Sequence, residues 1–182
     1  MKISVSHIPP DGLVQEYSAK AELFPILDDL IIQGDYVFSS PVQAHLTAMV
    51  LANEVVDVNG QITTTLRMDC GRCLEPFEHT LIRKFKMGFV KSSGTDTAPD
   101  EDELDIEIRE EDIATEYYLG DVIDLKNMIQ EQVVMGLPQH PLCSDNCKGL
   151  CQSCGNNLNL SPCSCSPTIG HPAFAVLKGL KT

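Results

Sequence analysis

"VQAHLTAMVLANEVVDVNGQITTTLRMDC", residues 42–70, is the stretch whose reading decides the fold. Val42, Ala44, Leu46, Ala48 and Val50 share one parity, with Gln43, His45 and Thr47 between them. Alternation of period two is the pattern of a strand with one buried face. Beyond Asn59-Gly60, a pair favoured in tight hairpin turns, Ile62, Thr64 and Leu66 alternate again. A third run, "FEHTLIRKFKMGFV" (77–90), places Phe77, Leu81, Phe85, Met87 and Phe89 on one parity. Three sequential runs with short connections predict an antiparallel meander, because a parallel neighbour would need a long crossover.

Outward from this centre the signals are shorter. Met1–Ile8 reads as a strand, Pro9 to Gly12 as a turn, and Leu13–Tyr17 as extended chain. "ELFPILDDLIIQGDY" (22–36) has apolar residues at 23, 24, 26, 27, 30 and 31, the spacing of a short helix interrupted early by Pro25 and closed near Gly34. Ser92–Glu103 reads as an acidic loop, and "LDIEIRE" (104–110) returns to the sheet with Leu104, Ile106 and Ile108 on one face. "DLKNMIQEQVVMGLP" (124–138) predicts a helix capped by Asp124, with Leu125, Met128, Ile129, Gln132 and Val133 on one side and Gly136 and Pro138 as the stop. The expected class is α+β: an antiparallel β-meander packed with one or two helices, plus a small C-terminal zinc-ribbon-like element. The expected boundaries are a core domain over 1–140, a cysteine-rich element over 141–170, and a tail over 171–182 that packs Phe174, Val176 and Leu177 on the core. No internal repeat is visible.

The 182 residues carry a net charge of -13. Residues 92–124 hold thirteen acids against one base, so nearly all of the excess lies in one strip. Such a strip is either a solvated loop or a surface for a basic partner, such as a ribosomal protein; bare nucleic acid would be repelled by it. Arg83, Lys84, Lys86 and Lys91 lie outside the strip and are the candidate RNA contacts, although Arg83 has the opposite parity to Lys84 and Lys86. No apolar run is long enough to span a bilayer, and "MKISVSHIPPDG" lacks the apolar region of a secretion signal, which predicts a cytoplasmic protein with no membrane partner.

Eight cysteines carry the chemistry: Cys70, Cys73, Cys143, Cys147, Cys151, Cys154, Cys163 and Cys165. Structural disulfides do not suit a cytoplasmic chain of this size. A thioredoxin-like pair at "CGRC" lacks the following helix that would lower a thiol pKa. Two C-x-x-C pairs plus four further cysteines fit tetrahedral thiolate ligation, since a two-residue gap lets both sulfurs reach one ion. The simplest division is Cys70 and Cys73 with Cys143 and Cys147, and Cys151 and Cys154 with Cys163 and Cys165. One or two structural zinc ions are the expected cofactor, with iron–sulfur as the rival for the same ligands. His7, His45, His79, His140 and His171 fall in no catalytic spacing, although His140 is a candidate metal ligand or hydrogen-bond partner to one. Gly34, Gly60 and Gly94 read as turns and no phosphate loop is present, so no enzyme and no small-molecule substrate are expected.

"MDCGRCLEPFEH" (68–79), then "EQVVMGLPQHPLCSDNCKGLCQSCGNNLN" (131–159) and a closing "HPAFAVLKGL" (171–180), resemble the YceD-like family. That family comprises the bacterial and plastid large ribosomal RNA subunit accumulation proteins. Within the resemblance, Cys70 and Cys73 match the central C-x-x-C, Cys143, Cys147, Cys151 and Cys154 the C-terminal cluster, and Cys163 and Cys165 a terminal C-x-C. The resemblance implies a non-enzymatic factor supporting accumulation or processing of 23S rRNA, with large-subunit rRNA, a pre-ribosomal particle or a basic ribosomal protein as partner. Two alternatives stand beside it. One is an interaction module that escorts a basic ribosomal protein without touching RNA; the other is a cysteine-dependent redox or zinc-transfer protein.

Overall fold

Val42, Ala44, Leu46 and Ala48 are all buried, and the strand that carries them lies inside a six-stranded sheet. The structure is a computed structural model and describes residues 1–34, 36–51, 55–92 and 115–165. In chain order the elements are β1 (Lys2–Ser4), β2 (Leu13–Ala19), α1 (Pro25–Gln33), β3 (Val37–Phe38), β4 (Val42–Val50), β5 (Val56–Asp69), β6 (Pro76–Lys91), β7 (Thr115–Tyr118), β8 (Val122–Asp124) and α2 (Lys126–Gly136). The fold is mixed α+β, with a mostly antiparallel sheet and two helices. The expected acidic loop beyond Ser92, the strand of Leu104, Ile106 and Ile108, and the tail of Phe174, Val176 and Leu177 lie outside the described residues.

Two units divide the chain: Met1–Arg67 with Glu78–Pro138, and Met68–Phe77 with the stretch from Gln139 onward. In the first, the sheet order is β2-β4-β5-β6-β7, with β3 also pairing β5. β2 runs antiparallel to β4 from Leu13↔Ala48 to Ala19↔Val42, and β4 antiparallel to β5 from Gln43↔Thr63 to Val50↔Val56. β7, which lies outside the three runs of the expected meander, is parallel to β6, Gly88 opposite Thr115 and Lys91 opposite Tyr118. β1 and β8 form a separate antiparallel pair.

Asn59-Gly60 is not a turn. Both residues sit inside β5, opposite Thr47 and Leu46, and the β4–β5 connection lies earlier, closed by Leu51 N–H to the Val55 carbonyl at 2.7 Å. A Cβ on Gly60 would run into Leu46 and would stand 2.7 Å from Phe85 Cζ. The glycine is there because two large side chains close over it, the other common reason for glycine in a strand.

Pro25 likewise begins α1 rather than interrupting it, occupying the first helical turn, where its missing N–H costs nothing. Gly34, at φ 81°, ends that helix in the left-handed conformation, returning its N–H to the Ile31 carbonyl at 3.0 Å. Asp124 is not the N-cap of α2, which is Leu125; it stands one residue before it, and its Oδ1 accepts from Lys126 N–H at 3.0 Å. Phe24, Leu27, Leu46, Ile62, Met128 and Ile129 are fully buried in one cluster, each worth about 1.5–3 kcal/mol of transfer free energy. Gln130 is buried beside them because it is satisfied: Oε1 accepts from Ile26 N–H at 3.2 Å and Nε2 donates to Asn127 Oδ1 at 3.2 Å. Among the described residues no helix is long and apolar enough to cross a membrane.

Candidate metal centres

The connection between β5 and β6 is a tight turn that presents Cys70 and Cys73. Cys70 N–H bonds the Glu75 carbonyl at 3.0 Å, Leu74 N–H bonds the Cys70 carbonyl at 2.9 Å, and Arg72 N–H points at Cys70 Sγ from 3.4 Å. Leu74 takes φ 58°, the left-handed region, and is the one such non-glycine among the described residues. The same turn recurs at Cys151. There Cys151 N–H bonds the Asn156 carbonyl at 2.8 Å, Gly155 N–H bonds the Cys151 carbonyl at 2.8 Å, and Gly155 has φ 72°. Residues 70–75 and 151–156 are therefore a backbone repeat in which only the two cysteines coincide in sequence. Cysteine spacing was its signal; the left-handed residue is recognisable as glycine in one copy and hidden as leucine in the other.

Cys143 and Cys147 complete the first group. Gly71 N–H reaches the Pro141 carbonyl at 2.8 Å, and Arg72 Nη1 donates to the carbonyls of Cys147 at 3.0 Å and Asp145 at 3.3 Å. Leu150 N–H in turn bonds the Arg72 carbonyl at 3.0 Å. Gly149, at φ 73°, lies so close that a Cβ would stand 3.0 Å from that carbonyl oxygen. Cys70, Cys73 and Cys147 are buried against Phe77 and Leu142, while Cys143 is exposed. The second group, Cys151, Cys154, Cys163 and Cys165, is half-buried, with Cys154 exposed.

In each group every sulfur lies within 4.8 Å of the others. Cys70 to Cys147 and Cys73 to Cys143 are both 3.7 Å apart. Four thiolates at about 2.3 Å around an ion define a tetrahedron with edges of about 3.8 Å, so the first group has the dimensions of such a site. These separations are far beyond a disulfide bond, and all eight cysteines are free.

The thiols within each group titrate apart. The Cys143 backbone N–H, with those of Arg72 and Cys73, brings Cys70 down to about 6 against the opposing effect of burial. The Glu75 N–H favours a thiolate at Cys73, but burial and the three neighbouring thiols push it up to about 12. In the second group the N–H groups of Cys154 and Ser153 bring Cys151 down to about 6, whereas the Cys154 thiol, burial and Cys151 hold Cys165 up at about 12. The first thiolate forms readily and the last does not, because like charges accumulate in a small volume. A bound cation removes that repulsion, and its binding expels the remaining protons. Both four-cysteine groups fit a metal ion.

His7, His45, His79 and His140 belong to neither group. His45 lies on the open face of the sheet with Nδ1 3.2 Å from Glu16 Oε1, beside an open cavity of about 510 Å³ also lined by Ser18, Gln43, Gln61 and Thr63. The four basic candidates are not gathered in one place. Arg83 Nε reaches Gln132 Oε1 at 3.5 Å on the α2 side, Lys86 pairs with Asp57 at 3.7 Å, and Lys84 and Lys91 are exposed elsewhere along β6.

Comparison with known proteins gives this arrangement its context. The family model described as "Large ribosomal RNA subunit accumulation protein YceD" matches residues 58–181, a span that contains all eight cysteines. A chloroplastic large ribosomal RNA subunit accumulation protein YCED homolog 1 of Zea mays is 27% identical over 60% of this chain and 44% of its own length. Uncharacterized proteins of Mycobacterium leprae and Mycobacterium tuberculosis are 26% and 30% identical, over 74% and 60% of this chain and 54% and 48% of theirs. The chain thus spans about half the length of these curated relatives. No solved structure matches. With its family match covering most of the chain and the cysteine motifs inside that match, the protein belongs to the YceD family, named for large ribosomal RNA subunit accumulation.

Proposed function

We propose that this protein is a non-enzymatic, cytoplasmic factor in large ribosomal subunit biogenesis that supports accumulation or processing of 23S rRNA. The observation that carries the reading is the family match over residues 58–181. In this reading Cys70, Cys73, Cys143 and Cys147 hold one zinc ion, and Cys151, Cys154, Cys163 and Cys165 a second. Zinc with four thiolates keeps no open coordination position, so its contribution is to fix the fold of the cysteine-rich unit rather than to activate water or substrate. The partner is large-subunit rRNA or a pre-ribosomal particle, with Lys84 and Lys91, both exposed on β6, as candidate phosphate contacts. The test is sedimentation of lysates from cells with and without the gene. The expected result is cosedimentation of the protein with a large-subunit precursor, and a fall in mature 23S rRNA without it. Normal rRNA and a protein that remains at the top of the gradient would refute the reading.

The net charge of -13 favours a second reading, escort of a basic ribosomal protein without RNA contact. Capture of that protein surviving nuclease treatment supports the escort. Binding of the purified chain to rRNA fragments that weakens with salt supports direct contact.

A further inference from the structure

Two side chains of the second group's loop reach the first group, Asn157 through Glu75 Oε1 at 3.3 Å and Asn159 through a sulfur itself. Asn159 Oδ1 accepts from Lys148 N–H at 2.8 Å. Because a backbone N–H needs an acceptor, that bond settles which end of the amide is the oxygen and turns the amino group the other way. The amino group donates to Cys147 Sγ, in the first group, at 3.3 Å and to Asn157 Oδ1 at 2.9 Å. Asn159 itself belongs to the loop between Cys154 and Cys163, two ligands of the second group. That loop is also tied back by Leu158 N–H to the Gly149 carbonyl at 3.0 Å and by the Leu150↔Asn157 bridge. The residue that supplies a side-chain N–H to the first centre is therefore held in place by the fold of the second.

We infer that Asn159 is a positioning residue that couples the two centres, so that they take up metal as one cooperative unit. The inference rests on the proposal that both groups bind metal. An ion at Cys151, Cys154, Cys163 and Cys165 fixes both ends of the loop and delivers the Asn159 amino group to the Cys147 thiolate. Hydrogen bonds to ligating atoms commonly set metal affinity by about 10–100-fold. Coupling in binding is reciprocal, so filling the first centre must tighten the second by the same factor. The centres also differ in access: three of the four sulfurs in the first are buried, whereas the second is half open to solvent. A chelator is expected to draw metal from the second centre first, and its loss loosens the first.

The experiment is a competition titration of the reduced full chain with zinc against a chromophoric chelator. It is repeated with cobalt(II), whose thiolate charge-transfer absorption reports ligation directly. C163S/C165S leaves only the first centre and C70S/C73S only the second. The expected result is that each centre alone binds about tenfold more weakly than in the wild-type chain. N159A should give the same loss at the first centre, with no further loss when C163S/C165S is added. N159D retains the acceptor for Lys148 N–H but sets a carboxylate against the thiolate, and should bind more weakly than N159A. Unchanged affinity of the first centre in C163S/C165S, or wild-type binding by N159D, would overturn the coupling while leaving two metal centres standing. No uptake at either group in the wild-type chain would overturn the metal reading and the coupling together.

Discussion

Gly60→Ala tests the packing of the sheet at the point where local sequence is most misleading. Gly60 lies in β5 and is absent from the positive-φ glycines, so its backbone accepts any residue. On backbone grounds alone alanine should gain about 0.5–1 kcal/mol, since glycine loses the most freedom on folding. Packing opposes this. The new Cβ would meet Leu46 and stand 2.7 and 2.9 Å from Phe85 Cζ and Cε1, so the ring must retreat by about 1 Å to reach ordinary carbon contact of about 3.5–4.0 Å. Overpacking of this kind costs about 1–3 kcal/mol. The net expectation is a loss of about 1–2 kcal/mol. Urea unfolding followed by far-ultraviolet circular dichroism, with metal saturating, should show it as a midpoint lowered by about 0.5–1 M. Adding Phe85→Leu removes the ring atoms nearest the new methyl and should recover part of the loss relative to Phe85→Leu alone. A midpoint for Gly60→Ala equal to or above wild type would refute the reasoning.

Leu74→Gly should stabilise the cysteine-rich unit by about 0.5–1 kcal/mol in thermal unfolding, because it relieves a left-handed backbone costing about 1–2 kcal/mol while burying no less; Leu74 is 65% exposed. Gln130→Ala should lower stability by about 1–3 kcal/mol by leaving Ile26 N–H without its acceptor, and Gln130→Glu, which keeps the acceptor, should lose less in the same denaturation assay. Asp121 is held below its usual pKa by hydrogen bonds from the Ser4 and Ser6 hydroxyls at 2.6 and 2.7 Å. Its folded pKa is lowered, so its contribution is fully present above the unfolded value of about 3.9 and fades as pH falls through the folded value. Asp121→Asn should lose stability at neutral pH and flatten the profile below pH of about 4.

The α+β class was legible because it depends on one-residue alternation. The parity of Val42, Ala44, Leu46 and Ala48, and of Ile62, Thr64 and Leu66, coincides with burial, while Val50, of the same parity at the end of β4, is exposed. Two features were not legible for a common reason, that their causes lie in distant chain. Gly60 is required by Leu46 and Phe85 from the neighbouring strands, while the Asn59-Gly60 pair by itself spells a turn. The parallel pairing of β7 with β6, Gly88 opposite Thr115, joins chain far apart in sequence, and nothing within Thr115–Tyr118 announces its direction.

At the cysteine groups, spacing carried most of the information because a tetrahedral ion is a strict geometric constraint. C-x-x-C at 70 and 151 implies two sulfurs within reach of one ion, and the turns at both places close with the same pair of backbone hydrogen bonds. What spacing does not carry is which ordinary residues serve that geometry. Asn159 lies in an Asn-rich loop that reads as a turn, and its role is set by Lys148 N–H on one side and the Cys147 sulfur on the other. Leu74 occupies the left-handed position that Gly155 fills in the second turn. A search for C-x-x-C-G would find one knuckle and miss the other, although the backbone is the same. The cost of leucine there, about 1–2 kcal/mol, is small beside the apparent binding free energies of about 10–16 kcal/mol with which zinc–thiolate sites organise a small domain. A filled centre therefore tolerates the strained residue, and the strain should be felt most when the ion is withdrawn. The stabilisation from Leu74→Gly is accordingly expected to be larger, as a fraction of the remaining stability, in the chelated protein than in the loaded one.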